Sequence, residues 1–249
     1  MNRRNLLKLA MNGGAAAIVV APKALQAAKG MPAPKITDVQ CIETQPAGSR
    51  LSVVKITTDQ PGLHGYGCAT FTQRADLVKP AVERYLKPFL LGKTTDRIED
   101  IWQSCYDSSY WKNGPVLNNA ISGVDQALWD IKGRQAGMPV YDLVGGKTRE
   151  AADCYGHADG AEPAQVVDSI RSWMGRGFRH VRAQVGVPGF AAYGTGAAGA
   201  AAMHGLREGP VFEPQYYTRR VLAMFEEVRK QLGFEVELLH DAHERVTPR

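Results

Sequence analysis

Three pairs of residues carry the chemistry this chain could do: Tyr155 with His157, Arg182 with Gln184, and Asp241 with His243. Together with His240 they include the side-chain types that bind metals and move protons. Asp241 and His243 are two apart, so on an extended backbone they point the same way. Each pair closes a segment that reads as a strand: Ala151–Tyr155, Phe178–Val185 and Phe234–Leu239. A solvated strand end is the ordinary explanation for one such pair. Three in succession at the same end of one sheet point to a shared pocket.

The elements between these strands decide whether the pairs can meet. Pro163–Gly175 and Pro214–Leu232 read as helices, the second with Tyr217, Val221, Met224 and Val228 on one face. Strands separated by helices pair in parallel through right-handed crossovers. The polar ends then gather at the C-terminal edge of the sheet, where β/α barrels place their active sites. The segment after Val185, VGVPGFAAYGTGAAGAAAMHGLREGPVFEP, exceeds an ordinary connection and reads as a functional lid or a disordered stretch.

Upstream the rhythm differs. Lys35–Glu43, Ser52–Thr57 and Leu63–Ala69 alternate in polarity, are rich in β-branched residues, and are separated by turn-forming residues. They predict a three-stranded antiparallel meander. Helices are predicted over Asp76–Leu90, interrupted by Pro80 and Pro88, and over Thr95–Trp111, with Trp102, Tyr106 and Tyr110 four apart. A third helix, Asn118–Gln135, carries the stripe Ile121, Val124, Leu128 and Ile131 and ends at Gly137 and Pro139. This part closes an α+β unit of domain size.

The net charge of +5 is concentrated at the N-terminus: Arg3, Arg4, Lys8 and Lys23 lie in the first 27 residues without an acidic residue, which leaves +1 for the rest. No nucleic-acid footprint is expected. The leader has paired arginines, a moderately apolar run from Leu9 to Ala21, and small residues near Ala27. It is too short and too weakly apolar to span a membrane. Cys41, Cys68, Cys105 and Cys154 form no CxxC pair, so a zinc or thioredoxin-type site is not expected. Four buried free thiols are expected, although an exported chain could form one disulfide.

The leader's Arg3-Arg4-Asn5-Leu6-Leu7-Lys8 resembles a twin-arginine export signal, which implies a periplasmic destination, or a cytoplasmic one if the signal is unused. In the rest of the chain, AISGVDQALWDIKGRQAGMPVYDLVGG (Ala120–Gly146), GYGCAT, RIEDIWQ, YWKNGPV, YGHADG, RAQVGVPG and LLHDAHERVTP together cover most of Lys35–Pro248. These phrases resemble the enolase superfamily in its mandelate racemase-like branch, and within it the mannonate dehydratase group. The resemblance implies an α+β capping domain followed by an incomplete α/β (TIM-type) barrel with its first three strands only. The corresponding organisation is residues 1–27 as signal, 35–146 as cap and 150–249 as the N-terminal part of the barrel.

The activity implied is Mg²⁺-dependent dehydration of a mannonate- or gluconate-like acid sugar to a 2-keto-3-deoxy acid through an ene-diolate. By this resemblance Asp241 matches a magnesium ligand and His243 the acid/base histidine. Tyr193 matches the base, Arg182 the cation that lowers its pKa, and His157 a substrate contact. Thr72 and Gln73 occupy the cap loop that touches substrate, where the family usually carries Asn. Implied partners are a small acid sugar and, at full length, further copies of the chain; no stable membrane insertion is expected. A full barrel takes about 250 residues, whereas roughly a hundred follow the cap. A portion of a longer enzyme is therefore expected, with a racemase or epimerase of the same branch, or a non-catalytic remnant, as alternatives.

Overall fold

The computed structural model describes residues 33–186, 214–243 and 246. The first sheet is an antiparallel meander of β1 (Ile36–Thr44), β2 (Leu51–Thr58) and β3 (His64–Cys68), ordered β1-β2-β3. Alternation along β2 buries Ser52, Val54, Ile56 and Thr58, as a sheet with one covered face requires. The helical stretch that follows does not break at its prolines. α1 (Ala75–Pro80) runs through a π-helical segment, Ala81–Leu86, into α2 (Lys87–Leu90). The wider π turn accommodates residues that cannot donate a backbone hydrogen bond.

α3 (Ile98–Tyr106) is shorter than its aromatic spacing predicted. Trp102 and Tyr106 stack with centroids 5.3 Å apart, whereas Tyr110 lies beyond the helix against Trp111. α4 (Pro115–Ala136) packs its apolar stripe on the meander and stops at Gly137, whose φ of 66° is left-handed. Contact between α4 and β3 is close: a Cβ on Gly67 would fall 2.0 Å from the Gly123 carbonyl oxygen. The free edge of β3 is satisfied by that same helix. Asp130 accepts from the Tyr66 N–H at 2.9 Å and Gln126 from the Cys68 N–H at 3.1 Å, which closes an edge otherwise open to pairing. A short helix, α5 (Val140–Leu143), follows.

The second sheet is parallel, with order β4 (Tyr155–Gly160), β5 (His180–Val185), β6 (Glu237–Leu239). α6 (Pro163–Gly175) and α7 (Pro214–Leu232) separate the strands in sequence. α6 starts in a capping box of Glu162 and Gln165 with Pro163 in its first turn. Glu162 also receives both arms of the Arg220 guanidinium, at 2.9 and 3.1 Å, which ties α7 to the end of β4. A second core forms here from Val166, Val167, Ile170, Val181, Met224 and Val228 among others, distinct from the core under the meander.

The strand predicted at Ala151–Tyr155 begins where that prediction ends, at Tyr155, because Gly156, Ala158 and Gly160 are small enough to lie under α6. The cysteines are free, as expected, but only Cys41 and Cys105 are buried; Cys68 and Cys154 are exposed. Cys68 sits on the outward face of β3 and Cys154 in the connection before β4. No described helix is long and apolar enough to cross a membrane.

Candidate active site

Pleating sorts the second sheet into two faces. On β4, Gly156 and Gly160 face α6: a Cβ on Gly156 would meet the Trp173 ring at 2.4 Å, and one on Gly160 the Val166 nitrogen at 2.6 Å. Tyr155, His157 and Asp159 therefore point to the opposite face. In register beside them stand His180, Arg182 and Gln184 of β5, and beside Arg182 stands Leu239 of β6. The polar residues thus line a face along the length of the strands, not only the strand ends.

Arg182 is the hub. It is 4% exposed, and a guanidinium this deep needs partners for its charge. Its Nη1 donates to Asp241 Oδ2 at 2.6 Å, and its Nη2 lies 3.1 Å from His157 Nδ1. Arginine can only donate, so His157 Nδ1 accepts and the ring proton sits on Nε2. His157 thereby presents a fixed N–H donor. The Trp173 indole N–H donates to the His157 carbonyl at 2.7 Å, holding the backbone of this residue from the helix side. Tyr155 stacks on the His157 ring at 5.2 Å.

Asp241 is held by backbone as well as side chain, since Gln184 Nε2 donates to its carbonyl at 3.1 Å. The preceding residue is pinned on the other face. His240 Nδ1 lies 2.7 Å from the Ala183 carbonyl and its Nε2 lies 2.6 Å from the Tyr217 hydroxyl. The carbonyl can only accept, so His240 donates at Nδ1 and accepts the tyrosine proton at Nε2. β6 is only three residues long, and these contacts fix the chain direction beyond its end.

His243 and Asp241 do not share a side through strand alternation. The strand ends at Leu239, and His243 sits in a turn with φ of 49°. The turn nevertheless brings His243 Nε2 to 3.8 Å from Asp241 Oδ2. The structure therefore gathers His157, Arg182, Asp241 and His243. Thr72 and Gln73 belong to the 3-10 turn Thr72–Arg74 after β3, in the unit built on the first sheet. Tyr193 lies outside the described residues.

A hard cation such as Mg²⁺ takes several oxygen ligands. Among the described residues no three potential ligands cluster, and Asp241 is already ion-paired to Arg182. The described residues alone do not fit a magnesium site. The group most clearly missed in the sequence is Asp159. Burial pushes its carboxyl above the usual range against the pull of Arg182 and His157. The signal for it was the alternation in YGHADG, which places Tyr155, His157 and Asp159 on one face.

The family described as mandelate racemase / muconate lactonizing enzyme, N-terminal domain, matches residues 25–145. The chain belongs to the enolase superfamily. A D-galactonate dehydratase family member of Musicola paradisiaca is 50% identical over 226 residues, covering 86% of this chain and 54% of its own length. A solved enolase from Pantoea ananatis, with bound D-gluconate and Mg, is 47% identical with a TM-score of 0.73, over 86% of this chain and 55% of that one. An enolase superfamily member from Salmonella Typhimurium gives a TM-score of 0.65 at 25% identity, over 83% of this chain and 54% of that one. The chain spans about half the length of the curated relatives it matches.

Proposed function

We propose that this chain supplies the N-terminal portion of an Mg²⁺-dependent acid-sugar dehydratase. The observation that carries the reading is the Arg182–Asp241–His157 cluster on the polar sheet face, in a chain half identical to D-galactonate dehydratase family members. The substrate class is a gluconate- or mannonate-like sugar acid; the Pantoea ananatis relative holds D-gluconate. Magnesium belongs to the reading because that relative contains it, and Asp241 is the ligand this chain would contribute.

Dehydration removes a proton from the carbon beside the carboxylate and expels the neighbouring hydroxyl as water, leaving an enol that becomes a 2-keto-3-deoxy acid. Proton removal builds negative charge, and the buried Arg182 cation stabilises it without reorganisation. Its charge also favours the ionised form of a nearby phenol, the role assigned to Arg182 toward the proposed base Tyr193. His243 protonates the departing hydroxyl, and the fixed Nε2–H of His157 orients a substrate oxygen. Thr72 and Gln73 are proposed to contact substrate from the cap. The paired arginines of the leader are proposed to direct export to the periplasm.

The test is a panel of acid sugars given, with Mg²⁺, to this chain extended by the C-terminal portion of the Musicola paradisiaca relative. A 2-keto-3-deoxy product from D-gluconate, D-mannonate or D-galactonate is the expected result. Inverted substrate without keto product would move the reading to an epimerase. No turnover of any acid sugar by a folded, Mg²⁺-loaded protein would remove its support.

A further inference from the structure

Asp159 stands out on the site face because its chemistry is unfinished. Its direction is fixed, since both neighbours on β4 lie toward α6: Ala158 is fully buried in the core beneath that helix, and Gly160 has no room for even a Cβ. Its register partner on β5 is Gln184, whose amide nitrogen already donates to the Asp241 carbonyl. Both terminal nitrogens of Arg182 already engage Asp241 and His157. These terminal nitrogens of Arg182 and the Gln184 amide thus already have partners. Asp159 Oδ1 is shielded from solvent and accepts no hydrogen bond among the described residues. Native structures keep few such atoms, and each calls for a specific partner.

We propose that Asp159 is a ligand-contacting residue that accepts a hydrogen bond from a hydroxyl of a polyhydroxy ligand bound on the His157–Arg182 face. The proposal rests on the acid-sugar reading for the ligand class. A hydroxyl fits better than a cation, because the adjoining Arg182 guanidinium repels positive charge, whereas a neutral O–H donor meets no such penalty. The division of labour follows from charge: Arg182 and the His157 N–H suit the anionic end of the ligand, and Asp159 suits a hydroxyl along its chain. Burial holds the Asp159 carboxyl above its usual range, and a donated hydrogen bond from ligand would favour its charged form.

The experiment titrates D-gluconate and the neutral polyol D-glucitol into this 249-residue chain by calorimetry. It compares the unaltered protein with Asp159→Asn and Asp159→Ala, each checked for folding by its thermal transition. Asp159→Ala is expected to weaken D-gluconate binding by about tenfold or more, as for loss of a hydrogen bond to a charged group, with Asp159→Asn between the two. Undiminished binding in both variants overturns the role of Asp159 and leaves the dehydratase reading standing. Binding of D-glucitol but not D-gluconate, lost in Asp159→Ala, supports Asp159 and overturns the acid-sugar reading. No binding of either ligand overturns the proposed contact, and the turnover assay of the extended chain then decides the dehydratase reading separately. Should the variants fail to fold, the ¹³Cγ resonance of Asp159 in the unaltered chain decides: it moves on addition of D-gluconate, and a stationary resonance overturns the proposal.

Discussion

A buried guanidinium is stable only while its partners remain, and Arg182 makes the cost of losing one measurable. Asp241 accepts from it at 2.6 Å with a side chain 38% exposed, against 5% for that of Arg182. Removing the carboxylate leaves a buried cation with part of its charge uncompensated. Because water reaches Asp241, the penalty falls below that of a fully buried pair. Asp241→Ala is expected to lower stability by roughly 1–3 kcal/mol in urea denaturation; an unchanged midpoint would show that the pair contributes nothing. The sequence revealed this hub's residue types but not its connections. Arg182 and Asp241 are 59 positions apart, and only the parallel register of β5 and β6 brings them together. Asp159 was legible as the third residue of an alternating phrase, yet its solvent-shielded oxygen is a fact of packing that spacing does not contain.

Helices and their apolar stripes were the most legible elements. The two helices of the parallel unit were predicted at Pro163–Gly175 and Pro214–Leu232, and the structure has the same bounds. α6 begins with Pro163 in its first turn, a signal that needs no tertiary context. β4 was misplaced because its helix-facing residues are Gly, Ala and Gly, which lack the apolar bulk that marks a buried strand. That smallness has a use: the Trp173 ring lies on Gly156 and bonds the His157 carbonyl. Gly156→Ala should force the ring away, costing about 1–3 kcal/mol and broadening the His157 imidazole resonances; a variant as stable as the parent would contradict this contact. On α4, burial and then the charge of Glu99 push the Asp125 carboxyl above its normal range. Its ionisation therefore opposes folding at neutral pH and ceases to do so as pH falls through the raised folded value toward the unfolded value of about 3.8. Asp125→Asn should raise the melting temperature at pH 7, with the gain shrinking toward pH 4. A gain independent of pH would assign the effect to something other than this ionisation.

At the scale of the whole molecule, two sheets of opposite kind divide the work. The antiparallel unit closes its own β3 edge with α4 side chains, while the parallel sheet covers one face with α6 and α7 and gives the other to polar residues. The leader adds a separate proposal about destination. Arg3→Lys with Arg4→Lys should retain the protein in the cytoplasm on cell fractionation, and unchanged periplasmic delivery would contradict export by this signal. The proposed part of the polar sheet face in acid-sugar dehydration is reached most directly through His243. Its left-handed backbone, with φ of 49°, suits asparagine as well as any residue with a side chain, so His243→Asn removes the imidazole and leaves the turn intact. The decisive measurement is the rate of 2-keto-3-deoxy acid formation from D-gluconate, with Mg²⁺, by the chain extended with its relative's C-terminal portion, with and without His243→Asn. Loss of a general acid predicts a fall of about a hundredfold or more. Equal rates in the two proteins would contradict the account.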